Sequence, residues 1–396
     1  MSRFLRVALP AAGIVALSGF VSLVSLVSLA CSSFGETDSA DPSSTRDIDA
    51  SGQVPTSDAA TEPHADGGPT EELPELRKLC PPARGPSKGF ADSKKTLLYE
   101  PPSRPRFPFA ITTDAKYVYW IEQDNTADGY NGNSNARILR VSKAGGVAVE
   151  IASNQPSASA LALDGEYVYW ATYTAGSATP SATIARAGRV CAAGSCVVEP
   201  LTTLAAGGRV SKLVSAGPGV LVARMASANA ALIDTKQATA KLSSLAQAAS
   251  GVAPAPLAIY ATRSDSAAIV EYSRDLGSSA PFTPTTSNDG YLSLASDCTK
   301  LWVTRSSSLL AVDIALRTIS SAFPQTFSDV FDSAVDEKFF YVARANAGGV
   351  DAFEKITGAK TNLWSGNVFA LDVDDDGIYW GDHAQSTGGD LYMLEK

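Results

Sequence analysis

A chain of 396 residues, 45% hydrophobic and 18% charged, is long enough for one large domain or two ordinary ones. Its net charge of −9 is concentrated in residues 32–77, where eleven acids face only Arg46 and Arg77. The remainder is close to neutral and has no basic stripe, which excludes a nucleic-acid-binding surface. The two histidines, His64 and His383, are too few for a multi-histidine metal centre, and any Ser/His/Asp triad would depend on His383 alone.

Residues 1–30 read as an export signal. Arg3 and Arg6 make a short basic start, and residues 7–30 are almost wholly apolar or small. The segment ends Val27-Ser-Leu-Ala-Cys31, which resembles a bacterial lipoprotein signal. That resemblance implies lipidation of Cys31; cleavage after Ala30 by ordinary signal peptidase and an uncleaved anchor are the alternatives. Ser32 after the Cys is similar to the outer-membrane sorting signal of Gram-negative lipoproteins. The expected place is therefore the cell envelope, at the outer membrane or cell surface.

Residues 31–77 are rich in Ser, Thr, Asp, Glu, Pro and Gly, and hold almost no large apolar side chains. Such a tract cannot bury enough surface to offset its chain entropy, so it is expected to be a disordered, acidic, self-repelling tether. An interaction tail for a cationic partner is the rival reading. Residues 78–94 read as an irregular lead-in.

From residue 95 a repeat runs to residue 396. Asp114-Ala-Lys-Tyr-Val-Tyr-Trp120 and Asp164-Gly-Glu-Tyr-Val-Tyr-Trp170 are its clearest copies. Asp297–Val303, Asp336–Val342 and Asp374–Trp380 follow, and weaker copies lie at 216–222 and 257–263. The spacing of about 38 to 52 residues gives seven units, with six as the alternative count. Each unit reads as four strands; in unit two these are 160–163, 167–172, 183–186 and 197–201. In unit one, Lys143-Ala-Gly-Gly146 supplies the positive φ angles of a tight hairpin turn.

Tyr-Val-Tyr-Trp is apolar on both faces of its strand, so the sheet needs cover on both sides, as stacked propeller blades provide. The last unit yields three strands, near 370–373, 378–380 and 391–394, while Thr96–Glu100 is a strand without a unit. The expected fold is thus all-β: a single β-propeller of seven four-stranded blades, closed by the N-terminal strand completing the last blade. The repeat resembles secreted bacterial β-propeller lipoproteins and is more distantly similar to YWTD-type propellers. The resemblance implies a binding or scaffold role for a monomer.

Candidate chemistry is sparse. Cys191 and Cys196 flank a turn between strands three and four of unit two, as a structural disulfide would. By elimination Cys80 and Cys298 form a second pair, with two free thiols as the alternative. Asp372, Asp374 and Asp376 open a D-x-D-x-D-G calcium loop, but the position that an EF-hand gives to Glu is His383. The same residues fall in register with the other turn aspartates, so a turn is the expected reading, calcium the weaker one, and no cofactor is expected.

The repeated Asp is expected to cap its own turn through backbone N–H groups. The strand two to strand three loops of units one and two are long and polar, and offer Asp124, Asp128, Tyr130, Asn131, Asn133 and Tyr173 as binding candidates for a protein or glycan. A tolerated insertion is the alternative. The other functional reading is a propeller hydrolase or lyase using channel carboxylates.

Overall fold

The computed structural model describes residues 84–86, 90, 93–102, 106–124, 135–173, 181–191, 196–204, 208–225, 230–243, 249–263, 268–275, 277–283, 291–346, 348–383 and 389–396. The chain divides into two units, Met1–Gly67 and Gly68–Lys396, and the described residues belong to the second. The export signal with Cys31, the acidic tract, Cys80, and the loop candidates Asp128, Tyr130, Asn131 and Asn133 lie outside the described residues.

The second unit is a β-propeller of seven four-stranded antiparallel sheets. Strand β1 (Lys95–Tyr99) comes first in the chain but belongs to the last blade. Blade one is β2 (Arg106–Thr113), β3 (Tyr117–Asp124), β4 (Asn135–Ser142) and β5 (Val149–Pro156). Blade two is β6 (Ala160–Asp164), β7 (Tyr167–Tyr173), β8 (Ala182–Gly188) and β9 (Glu199–Leu204). Blade three is β10 (Val210–Gly217), β11 (Val220–Met225), β12 (Ala230–Asp234) and β13 (Thr239–Ser243). Blade four is β14 (Ala249–Pro254), β15 (Ala258–Arg263), β16 (Ile269–Ser273) and β17 (Ser279–Thr283). Blade five is β18 (Tyr291–Ser296), β19 (Lys300–Arg305), β20 (Ser308–Asp313) and β21 (Thr318–Pro324). Blade six is β22 (Val330–Val335), β23 (Phe339–Arg344), β24 (Gly349–Glu354) and β25 (Lys360–Trp364). Blade seven is β26 (Val368–Val373), β27 (Gly377–Asp382), β28 (Leu391–Glu395) and, outermost, β1. The first strands of successive blades pack against one another in a closed ring and line the central axis.

The closure expected from the sequence is present. β1 pairs antiparallel with β28, in the register Lys95↔Leu394 to Tyr99↔Leu391. The seam is fastened by Glu122, which is fully buried. Its carboxylate accepts from the Tyr99 hydroxyl at 2.7 Å and from Arg137 Nε at 2.8 Å, and pairs with Arg106 at 3.3 Å. Strand edges differ from expectation at a few places. Val197 and Val198 are exposed turn residues, and the last strand of blade two runs Glu199–Leu204.

Alternating side chains of the second strands go to opposite interblade interfaces. Tyr119 and Ile121 pack toward blade two with Leu161, Val168 and Trp170. Val118 and Trp120 pack toward blade seven with Tyr379. The seven core clusters correspond one to one with the seven interfaces. Double-sided burial is why this strand reads apolar on both faces.

Each turn Asp does more than cap. Asp114 accepts from the N–H groups of Lys116 and Tyr117 at 2.8 Å, and from the Tyr119 hydroxyl at 2.8 Å. Asp336 repeats this with Lys338, Phe339 and Tyr341. In blade five Trp302 replaces the tyrosine, and its indole N–H donates to Asp297 at 2.8 Å.

The same Asp then meets a side chain that follows the third strand of the next blade. Asp374 pairs with Lys143, Asp114 with Arg189, Asp297 with Lys355 and Asp336 with Lys396. Asp164 receives the Thr235 hydroxyl at 3.4 Å. Blade four has Ala255 in place of the Asp, and Ile314 of blade five packs against that apolar cluster. At these six joints polar partners occur together and apolar partners occur together, as burial requires; at the seventh, blade three has Gly217 in place of the Asp, and Arg274 of blade four donates instead to the Ala255 carbonyl at 3.1 Å.

Candidate functional site

First strands run toward the strand one to strand two turns, so the molecule has a turn face and an opposite loop face. The segment before β1 crosses the turn face. Phe90 packs on Phe339 with ring centroids 4.7 Å apart. Lys338 Nζ donates to the Pro86 carbonyl at 3.0 Å, and Lys396 Nζ to that of Arg84 at 3.4 Å. Cys298 lies in the first turn of blade five on this face, at φ 68, and is disulfide-bonded. Cys80, the partner expected for it, lies outside the described residues. The bond between Cys191 and Cys196 is present, with Cα atoms 5.3 Å apart. It closes the turn after β8, whose backbone carbonyl at Cys191 accepts from Arg140 of blade one at 2.9 Å.

The loop face carries the binding candidates. Asp124 ends β3 and accepts the Asn135 N–H at 3.0 Å, closing the base of the blade-one loop. Tyr173 ends β7, half-buried and paired with Ala182. Asp124 and Tyr173 thus stand at loop bases, and no contact joins them among the described residues.

The structure adds a site that spacing could have shown. At the loop-face end of the innermost strand, six blades carry a bulge that skips one residue. The skipped residues are Phe109, Ser211, Ser250, Leu292, Phe331 and Phe369. A bulge re-aims its side chain. Leu292, Phe331, Phe369 and Phe109 come from four successive blades and form an apolar arc at the mouth of the channel. Phe331 and Phe369 meet edge to face with centroids 4.6 Å apart, and Phe369 and Phe109 lie 6.3 Å apart. Phe331 is 41% exposed, while Phe109, Phe369 and Leu292 are half-buried. The Arg209 guanidinium stacks 4.7 Å from the Phe109 ring. The sequence signal is plain in retrospect: Phe109, Phe331 and Phe369 each precede their turn Asp by five residues.

Below the mouth, Lys212 of blade three reaches Asp332 of blade six at 2.7 Å, an ion pair across the axis. Asp372 lies deeper and accepts the Thr113 hydroxyl at 3.0 Å. Burial, with Asp374 and Asp332 nearby, raises its carboxyl to about 7. The three calcium candidates do not act together. Asp374 caps its turn, Asp374 and Asp376 both pair with Lys143, and Asp372 faces Thr113.

His383 follows β27 behind the arc, packed between Phe107 at 4.0 Å and Phe369 at 5.0 Å. Its side chain is buried, the residue being 9% exposed, and neither nitrogen has a hydrogen-bond partner among the described residues. Burial lowers its basicity and keeps it neutral near pH 7.

No protein-family model and no curated protein sequence matches this chain. Solved structures do match in fold. The WD40 β-propeller domain of Doa1 superposes with a TM-score of 0.53 at 14% identity, over 76% of this chain and 98% of that one. YCF48, solved bound to D1 peptide, superposes with a TM-score of 0.53 at 10% identity, over 80% of this chain and 98% of the other. These likenesses show the fold, a β-propeller, whose seven blades are counted from this chain's own sheets.

Proposed function

We propose that this chain is an exported, lipid-anchored propeller whose loop face binds a partner protein at the channel mouth. The observation that carries the binding reading is the one-sided arc of Leu292, Phe331, Phe369 and Phe109. A contiguous apolar surface on a rigid rim is costly to leave wet, and marks an interaction site. The structural neighbour with a bound peptide supports protein partnering on this fold. We infer that Cys80 pairs with Cys298, since the lead-in already runs over the turns of blades seven and six.

The test is affinity capture from envelope extract with the full chain, comparing wild type, Phe331→Ser and, on the turn face, Ile356→Ser. One prey should be held by wild type and Ile356→Ser, and lost by at least tenfold with Phe331→Ser. Equal capture by Phe331→Ser would overturn the reading. A channel hydrolase is the second reading, favoured by Asp372, held toward its neutral form, with Asp332 nearby. Asp332 is occupied by Lys212 and by the Leu371 N–H, which leaves binding as the preferred function.

A further inference from the structure

We propose that the turn face rests on a lipid bilayer and inserts aliphatic tips from five blades into its interface, without a need for anionic lipid. This surface lies opposite the arc, and the proposal shares with the loop-face reading only the export and anchoring of the chain. Antiparallel pairing places the strand one to strand two turn and the strand three to strand four turn of each blade at the same end. Six side chains in these turns are 72–91% exposed: Val147 of blade one, Val190 and Val197 of blade two, Leu257 of blade four, Leu316 of blade five and Ile356 of blade six. Turn positions ordinarily carry Gly, Pro, Asn, Asp or Ser, and such exposure shows that packing of the blades does not call for aliphatic side chains here. A single exposed aliphatic residue is unremarkable. These recur at one end of a rigid ring, on five of its seven blades.

The charges beside the tips bear on what they meet. Arg189, next to Val190, pairs with Asp114; Lys355, next to Ile356, pairs with Asp297; Arg317, next to Leu316, pairs with Glu271. Lys143, in the same turn as Val147, pairs with both Asp374 and Asp376. These cations are answered within the ring, so the tips offer apolar contact without an electrostatic pull toward anionic lipid or an acidic protein.

Shape separates a bilayer from a protein. A protein interface is built around a contiguous apolar core. Here the tips stand on separate blades, with backbone and small or polar residues around each: Ala144-Gly145-Gly146 before Val147, Pro256 before Leu257, Thr357-Gly358 after Ile356. A lipid interface takes up separate side chains wherever they reach it, and their contributions add. The polar turns between the tips then stay at the level of the headgroups. The Cys191–Cys196 bond holds Val190 and Val197 together on one short closed turn, so little chain freedom is lost when the pair inserts.

The experiment measures fluorescence quenching of the full chain on phosphatidylcholine vesicles that carry a doxyl-labelled lipid. A nitrobenzoxadiazole label is attached to Leu257→Cys, to Ile356→Cys or, on the loop face, to Phe331→Cys, with the unsubstituted chain setting the background. All three side chains are exposed, so the fold tolerates the change. The labels replacing Leu257 and Ile356 should be quenched roughly threefold more than the one replacing Phe331. That difference should persist in roughly 0.5 M salt, and it should shrink when Val147→Asp and Val190→Asp are introduced together. Equal quenching at the three positions, no quenching at the two turn-face positions, or quenching that requires anionic lipid would overturn the proposal. A prey lost with Ile356→Ser while the turn-face labels stay unquenched would give this face to a protein instead. Flotation of the same vesicles reports anchoring separately. If Phe331→Ser loses its prey while the turn-face labels stay unquenched, the loop-face reading stands and this inference falls.

Discussion

Asp372 and His383 are the two residues whose environment departs furthest from what their sequence neighbours suggest. Each makes stability depend on pH, with opposite sign. The folded-state acidity of Asp372 is weakened to about 7, above the unfolded value. Below pH 4 the carboxyl is protonated in both states and has no effect. As pH rises toward 7 the unfolded chain releases its proton while the folded one holds it, so stability falls across that window. Asp372→Asn should therefore stabilise the protein by roughly 1–4 kcal/mol at pH 8 and by little at pH 4. Urea denaturation at both pH values checks this, and an equal effect at both would contradict it. His383 works the other way: its depressed basicity removes stability as pH falls below the ordinary histidine range. Neither property was legible from the residue alone. Asp372 reads as a turn or calcium acid, and His383 as a loop imidazole, because the sequence does not show which blade will close over them.

At the scale of elements, the blade was legible and the joint between blades was not. Period two with both faces apolar required cover on both sides, and Trp120, Trp170 and Trp380 are fully buried as that argument demands. The repeated Asp was read as a turn cap, which it is. Its tyrosine lies five residues on, but its cation from the next blade lies 58 to 75 residues on, or 231 back for Asp374, too variable a distance to read from one copy. They emerge only when the register is known, with Lys143, Arg189, Thr235, Ile314, Lys355 and Lys396 all following third strands. Lys396 and Asp336 are the most enclosed of these pairs, at 2% and 0% exposure. Lys396→Met should cost about 3–5 kcal/mol, because it strands a buried carboxylate. Guanidinium denaturation measures the loss; a cost below 1 kcal/mol would mean that Asp336 is satisfied by Tyr341 and its turn alone.

For the whole molecule, seven units and terminal closure followed from the repeat, since the unassigned strand and the three-stranded last unit complete one another. The aromatic arc was not read from the sequence, because the long loops belong to blades one and two while Phe331, Phe369 and Phe109 belong to blades six, seven and one. Cys31→Ala should release the protein from the membrane pellet into the soluble fraction and remove the mass of the acyl chains. Retention in the pellet at unchanged mass would refute lipidation.

The pairing of β1 with β28 also sets an order of events. The strand that leaves the ribosome and any export channel first is the one whose partner arrives last, some 290 residues later. Until then blade seven has no outer strand and the ring no seal. Non-local pairing of this kind folds slowly and leaves a bare edge open to other chains. The seam is thus the step at which assembly competes with aggregation. Glu122, gripping Tyr99 from the neighbouring blade, is placed to hold the early strand once it docks.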